Sequence, residues 1–234
     1  MKRIEIMKNK TLLVLAGFLA FLVSAGCRKI ETGLTDITYF AVIELEGANP
    51  YVINLGDNYS EPGFTAILNG SDISSNVTVG SNVNTSVPGI YSVTYTAVNE
   101  DGFSSSVSRA VYVLNPGGID NVYSSYTRIG NTAYRVPSFL IKSTGTPGVY
   151  EMEDLLGGFY YYGRYPGYEP TYDFHCESKF SINDDNTLNL ISTGSWYFGS
   201  SYDYSTFTGT YDPTTGVLDF NFDGVYVTLT PFNN

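Results

Sequence analysis

Cysteine is scarce in this chain: of 234 residues only Cys27 and Cys176 carry a thiol. Histidine and tryptophan occur once each, as His175 and Trp196. Two thiols allow at most one bridge, not a disulfide framework. One histidine beside one cysteine is too little for a zinc set. Adjacent strand residues also point to opposite faces, so neither a metal site nor a Cys–His nucleophile is expected. Charge is sparse too, at 15% of residues, and unbalanced, with 23 acidic against 12 basic side chains. Low charge beside 24 Gly and 21 Tyr argues against amphipathic helices and for extended strands with many turns. There is no phosphate loop, dinucleotide fingerprint or Gly-x-Ser-x-Gly elbow. Only "EMEDLLGG" (151–158) offers a helical turn, and no cofactor is implied.

What is present begins at the N-terminus. Lys2, Arg3, Lys8 and Lys10 precede the uncharged run "TLLVLAGFLAFLV" (11–23). A basic segment, a short apolar run and small residues make a secretory signal, and a membrane span would need about 20 apolar residues. Met7 opens a second complete signal, so translation starts at Met1 or at Met7. The signal ends in "SAGC" (24–27), which resembles a bacterial lipobox with Ser24 where Leu is usual. That resemblance implies cleavage after Gly26 and acylation of Cys27, which becomes the membrane anchor. Residues 1–26 take four of the basic side chains and one of the acidic ones. The remaining 208 residues then carry eight against 22, a formal charge of −14. Such a surface repels nucleic acid.

Residues 27–35 read as a tether and 36–114 as a first domain. "DITYFAVIELEG" (36–47) alternates Ile37, Tyr39, Ala41, Ile43 and Leu45 on one face. "GIYSVTYTAV" (89–98) alternates Tyr91, Val93, Tyr95 and Ala97 against Ser92, Thr94 and Thr96. "NEDG" (99–102) turns the chain into "SVSRAVYVL" (106–114). With "GDNYSEPGFTA" (56–66) and "RAVYV" (109–113), these segments resemble a bacterial immunoglobulin-like module of surface proteins. The resemblance implies a β-sandwich with Tyr91 as its tyrosine corner. Val93 takes the place of the second cysteine, and packing alone closes the core.

"NPGGIDN" (115–121) breaks the pattern and is read as a linker. Residues 122–234 hold 15 of the 21 tyrosines and the tryptophan. "GVLDFNFDG" (216–224) and "VYVTLTP" (225–231) are alternating strands joined at Asp223–Gly224, with "DPTTG" (212–216) as an earlier turn. The expectation is an antiparallel meander closing into a barrel or sandwich. The whole is therefore all-β, an Ig-like β-sandwich followed by this second domain. "GVYEMEDLLGGFYYYGR" (148–164), "FTGTYDPTTGVLDF" (207–220) and "VTLTP" resemble the C-terminal domain of Gram-negative surface lipoproteins associated with polysaccharide-utilisation systems. The resemblance carries no catalytic motif.

The candidate ligand-binding residues are Tyr160, Tyr162, Tyr165, Tyr168, Tyr172 and Trp196. Aromatic planes cover the apolar faces of sugar rings, while phenol and indole groups hydrogen-bond their rims. Read as a strand, the segment sends Tyr160 and Tyr162 to one face and Phe159 and Tyr161 to the other. Core filling by tyrosine is the competing explanation for these positions, Trp196 included. Glu151, Glu153, Asp154, Glu169 and Asp173 show no defined pair for glycoside hydrolysis. "INDDNTL" (182–188) fits turn chemistry better than a calcium loop. The expected function is non-catalytic glycan binding by a lipid-anchored envelope protein, an accessory of polysaccharide capture. An adhesin-like scaffold that binds a partner protein is the second reading and a glycoside hydrolase the third. Expected partners are the membrane through Cys27, neutral polysaccharide and outer-membrane transport components. The expected location is the outer membrane at the cell surface, with its periplasmic face as the alternative.

Overall fold

The computed structural model describes residues 37–168, 171–199 and 202–232, and Tyr39–Asn234 forms one compact unit. Cys27 and the signal lie outside the described residues. The molecule is all-β, 48% strand and 6% helix, with an Ig-like part and a nearly closed antiparallel barrel.

The Ig-like part is a sandwich of two sheets. One contains β1 (Val42–Leu45), β3 (Phe64–Leu68) and β4 (Ser71–Asp72) in the order β1-β3-β4. The other contains β2 (Tyr51–Asn54), β5 (Thr78–Ser81), β6 (Gly89–Val98) and β7 (Ser104–Leu114) in the order β2-β7-β6-β5, with β2 parallel to β7. The alternation expected of 89–98 holds: Val93, Tyr95 and Ala97 are buried and Tyr91 half-buried. At the other end the pattern is shorter than expected. Strand begins only at Val42, and Ile37 and Tyr39 are exposed, because no neighbouring strand pairs with 37–41.

The Tyr91 hydroxyl donates to the Val87 carbonyl at 2.9 Å, and Val93 packs in the core behind it. This is the tyrosine corner that the motif implied. Tyr91→Phe leaves the carbonyl without its donor. The expected loss is about 1–2 kcal/mol, read from the urea midpoint with an unchanged slope.

Arg109 is a feature the alternation did not announce. Its side chain is fully buried in the sandwich. Nε donates to Glu61 Oε1 at 3.0 Å, and the two terminal nitrogens donate to the carbonyls of Ala48 (2.5 Å), Glu46 (2.6 Å) and Gly63 (3.0 Å). Glu61 also accepts from the Tyr59 hydroxyl and from the Gly63 N–H. One guanidinium thus ties β7 to the two connections on either side of β2, residues 46–48 and 61–63.

β7 continues into the second part through a short corner. Asn121 Oδ1 accepts from the Asn115 N–H (3.0 Å) and the Val122 N–H (2.9 Å), and Asn115 Nδ2 donates to Asp120 (2.8 Å). Tyr112, Leu114, Val122 and Leu140 form a small core spanning the corner, with the Phe232 ring edge-on to Tyr112 at 5.2 Å.

The second part uses β8 (Asn121–Ile129), β9 (Thr132–Ser143), β10 (Val149–Met152), β11 (Ser178–Ile182), β12 (Leu188–Thr193), β13 (Thr208–Tyr211), β14 (Leu218–Phe222) and β15 (Val225–Pro231). Their order is β12-β11-β10-β9-β8-β15-β14-β13. The two outer strands approach each other at one end, where Thr187 bridges Thr210 and the Tyr211 N–H meets the Asn186 carbonyl at 2.9 Å. Both C-terminal strands point as expected: Leu218, Phe220, Phe222, Val225, Val227 and Leu229 are buried. Tyr123 repeats the corner device, its hydroxyl donating to the Ile119 carbonyl at 2.9 Å. Among the described residues no three His, Cys, Asp or Glu side chains cluster as metal ligands, and Asp185 closes its turn through Thr187.

Candidate functional site

The tyrosine-rich segment is not the strand that its alternation suggested. After β10 the chain turns at Asp154, whose carboxylate is fully buried. It accepts from the N–H groups of Leu156 (3.0 Å), Gly158 (2.8 Å) and Cys176 (3.1 Å). Gly157 and Gly158 follow in the left-handed region, at φ 59° and 77°. A Cβ on Gly157 would lie 2.3 Å from Thr127 Oγ1 and 2.6 Å from Ser125 Oγ, so the position admits only glycine. Phe159–Arg164 then forms one wide π-helical turn, closed by Gly163 N–H to Gly158 C=O (3.3 Å) and Tyr165 N–H to Tyr160 C=O (2.9 Å). Successive side chains here fan around an axis instead of alternating, which removes the two-face assignment of residues 159–162. The cause lies outside the tyrosines. The two left-handed glycines break the strand, and the Asp154 carboxylate caps the amides that strand pairing would have used.

The fan lands on a second aromatic segment, 194–204, and together they make two tiers. The lower tier is buried or half-buried. Trp196, 8% exposed, lies 5.2 Å from the Tyr160 ring and 5.0 Å from Tyr202, and the Tyr160 and Tyr202 hydroxyls meet at 3.0 Å. Phe174 and Tyr165 complete it, 5.2 Å apart. The upper tier is open to solvent: Tyr168 is 52% exposed, Tyr172 38%, Tyr197 50% and Phe198 49%. Its rings run continuously, Tyr168 to Tyr172 at 6.1 Å, Tyr172 to Tyr197 at 5.3 Å and Tyr197 to Phe198 at 5.1 Å. Phe198 is stacked over Phe174 at 5.6 Å and 16°. Each exposed ring therefore leans on a neighbour, which fixes its orientation before any ligand arrives.

Of the expected binding residues, the structure brings Tyr168 and Tyr172 together on this ledge and sets Tyr165 just beneath them. Tyr160 and Trp196 support the ledge from inside. Tyr162 lies apart, beside Tyr161 (4.6 Å) and His175 (6.1 Å). Tyr197 and Phe198, half of the upper tier, were not singled out by the sequence reading. Their signal lies in "SWYFGSSYDY" (195–204), where Tyr197 and Phe198 follow the tryptophan directly.

The carboxylates near the aromatics have other duties. Asp154 caps the turn, and Glu153 accepts from the Leu140 N–H at 3.1 Å. Glu151 lies 3.8 Å from Lys179 Nζ, and Asp173 holds His175 Nδ1 at 2.8 Å. Glu169 lies outside the described residues. Cys176 is buried and unpaired, its Sγ 3.7 Å from the Tyr204 hydroxyl.

Comparison with known proteins adds a family. Residues 43–113 match the bacterial surface protein Ig-like domain. Residues 80–231, about two thirds of the chain, match the BT2262-like C-terminal domain. Among solved structures the chain is similar to the lipoprotein BT2262 from Bacteroides thetaiotaomicron, at 29% identity and a TM-score of 0.58. That match covers 82% of this chain and 100% of that one. It is also weakly similar, at 16% identity and a TM-score of 0.27, to a structure of CBM51-2 with GlcNAc and INT domains from Clostridium perfringens ZmpB. There 48% of this chain and 28% of that chain are covered, and a likeness at that level carries no argument. No curated protein matches. The chain belongs to the BT2262-like C-terminal domain family.

Proposed function

We propose that this chain is a lipid-anchored protein of the bacterial envelope whose aromatic ledge binds neutral glycan. It serves as a non-catalytic accessory of polysaccharide capture. The observation that carries the reading is the unbroken run Tyr168–Tyr172–Tyr197–Phe198, exposed yet braced by buried rings. A solvent-facing aromatic patch of this kind costs solubility unless something covers it in use. Tyrosine offers a flat apolar face with a hydrogen-bonding rim, which suits pyranose rings and leaves little side-chain entropy to lose. The similarity to a Bacteroides lipoprotein and the Ig-like match support an envelope location. Cys27 is the proposed lipid attachment, with the outer membrane at the cell surface as the proposed site.

Affinity electrophoresis in gels containing neutral polysaccharides tests this. Tyr172→Ala and Tyr197→Ala should each reduce retention by about 5–30-fold, equivalent to about 1–2 kcal/mol per stacking ring, with unchanged thermal stability. Normal migration of the unaltered protein through every neutral polysaccharide would sink the proposal.

A scaffold role draws on a different observation. Phe40 and Phe103 of the Ig-like part are both exposed, with ring centroids 5.7 Å apart. Recovery of a partner protein that is lost on Phe103→Ser, with no dependence on sugar, would favour that reading.

A further inference from the structure

We propose a second binding site on the outer face of strands β9, β8 and β15, built for the carboxylate or sulfate groups of an acidic polysaccharide. The register makes the arrangement. Arg128 of β8 lies opposite Tyr226 of β15 and Ala133 of β9, while Arg135 of β9 lies opposite Tyr126 of β8. Strand alternation turns all four outward, since Ser125, Thr127, Val136 and Val227 on the opposite face are buried. The Arg128 guanidinium lies 4.2 Å from the centre of the Tyr226 ring, and that of Arg135 lies 4.7 Å from Tyr126. Ala133 is the direct partner of Arg128, so Arg135 starts from a diagonal position on the neighbouring strand, and such positions are about 7–8 Å apart.

Neither arginine has an acidic partner among the described residues. The ion pairs among the described residues are Arg109–Glu61, His175–Asp173 and Lys179–Glu151. Arg128 donates from Nη1 to the Gly130 carbonyl at 3.1 Å, which leaves most of its N–H edge open. Asp219 is an acidic group on β14, and it accepts from Thr228 Oγ1 at 2.5 Å. In a chain of formal charge −11, surface arginines would ordinarily be drawn into ion pairs. Here each guanidinium lies over a tyrosine ring instead.

Stacking fixes the guanidinium plane and points its fork of donors away from the ring. That is the geometry for bidentate contact with a carboxylate or sulfate, at a reduced entropic cost. One face of each ring carries a guanidinium, and Tyr226 stays 46% exposed beside it, so the rings orient the cations that acidic groups would meet. The hydroxyls of Ser124, Thr228 and Thr230 lie on the same face, where sugar hydroxyls would meet them. Two cations within a strongly acidic surface are too few for a nucleic-acid backbone or an anionic bilayer, each of which requires several. They do suit charges spaced along a sugar chain. The site is separate from the ledge and does not depend on the neutral-glycan reading.

The test uses the full mature protein in affinity gels containing polygalacturonate or chondroitin sulfate, at low and at raised salt. The unaltered protein should be retarded by at least one of these, less so as salt rises. Arg128→Gln with Arg135→Gln should weaken that retention about tenfold or more. Lys142→Gln with Lys179→Gln, the same charge change elsewhere, should leave it intact, as should Tyr172→Ala with Tyr197→Ala. Free migration of the unaltered protein in both gels overturns the proposal. So does equal loss in either control pair, or an arginine-dependent attachment to phosphatidylglycerol vesicles without retention by the polysaccharides.

Discussion

Asp154→Ala is expected to destabilise the protein by about 3–5 kcal/mol and to abolish ledge binding in whatever folded fraction remains. Three backbone N–H groups, those of Leu156, Gly158 and Cys176, lose their acceptor inside a fully buried site. Each orphaned donor costs about 1–3 kcal/mol, partly relieved if water enters. For a chain of this size the melting temperature should fall on the order of 10 °C. Asp154→Asn keeps one oxygen for the Leu156 and Cys176 amides but turns an amide group toward Gly158, so it should fall between the two. The pair of variants also separates charge from geometry. Burial pushes the Asp154 carboxyl up to about 6, against the opposing pull of its N–H donors and His175. A raised acid holds its proton more tightly folded than unfolded. Its contribution is therefore greatest below about pH 4 and is lost as pH rises through about 6. Stability measured across that window should slope downward in the unaltered protein and flatten at this position in Asp154→Asn. A slope identical in both would remove the carboxyl from the account.

Arg109→Leu should cost as much, about 3–5 kcal/mol, and should act on the Ig-like part. The guanidinium satisfies three carbonyls and Glu61 at once, and removing it leaves those carbonyls without a donor and a half-buried carboxylate without its cation. Arg109→Lys should rescue little, because an ammonium cannot reach the same fork of acceptors. Burial works to raise the Glu61 pKa, but the hydrogen bond from Tyr59 and the Arg109 charge are among the contacts that bring it below its ordinary value. A depressed acid contributes stability above its unfolded pKa, near 4.5, and loses it as pH falls through the lower folded value. Acid should therefore loosen this part first. A double-mutant cycle with Glu61→Gln measures the coupling, and additivity of the two changes would contradict the pairing.

Much of the scaffold was legible because it obeys a period of two. Strands β6, β14 and β15 were readable residue by residue, and the resemblance to the Ig-like module implied the corner at Tyr91. The parts that were not legible depend on partners distant in sequence. Nothing in "FYYYGR" (159–164) signals a π turn. Its tyrosines favour strand, and the decision comes from Gly157–Gly158 together with the Asp154 carboxylate. Nothing in the alternation marks Arg109 as buried, because its acceptors come from residues 46–48 and 61–63, distant in sequence. The ledge was half visible, because Tyr168 and Tyr172 lie in one segment while Tyr197 and Phe198 arrive from another. Trp196 and Tyr160, both chosen for binding, support the ledge from within.

Trp196 provides the most direct measurement of the central claim. It is the sole tryptophan of the chain and lies 5.1 Å from Phe198, directly under the exposed rings. Titration of the mature protein with a neutral polysaccharide, followed by tryptophan emission, should give a saturable change that salt does not diminish. The change should vanish in Tyr172→Ala with Tyr197→Ala. An emission spectrum that no neutral polysaccharide alters, or one altered equally in that double variant, would contradict a glycan-binding ledge.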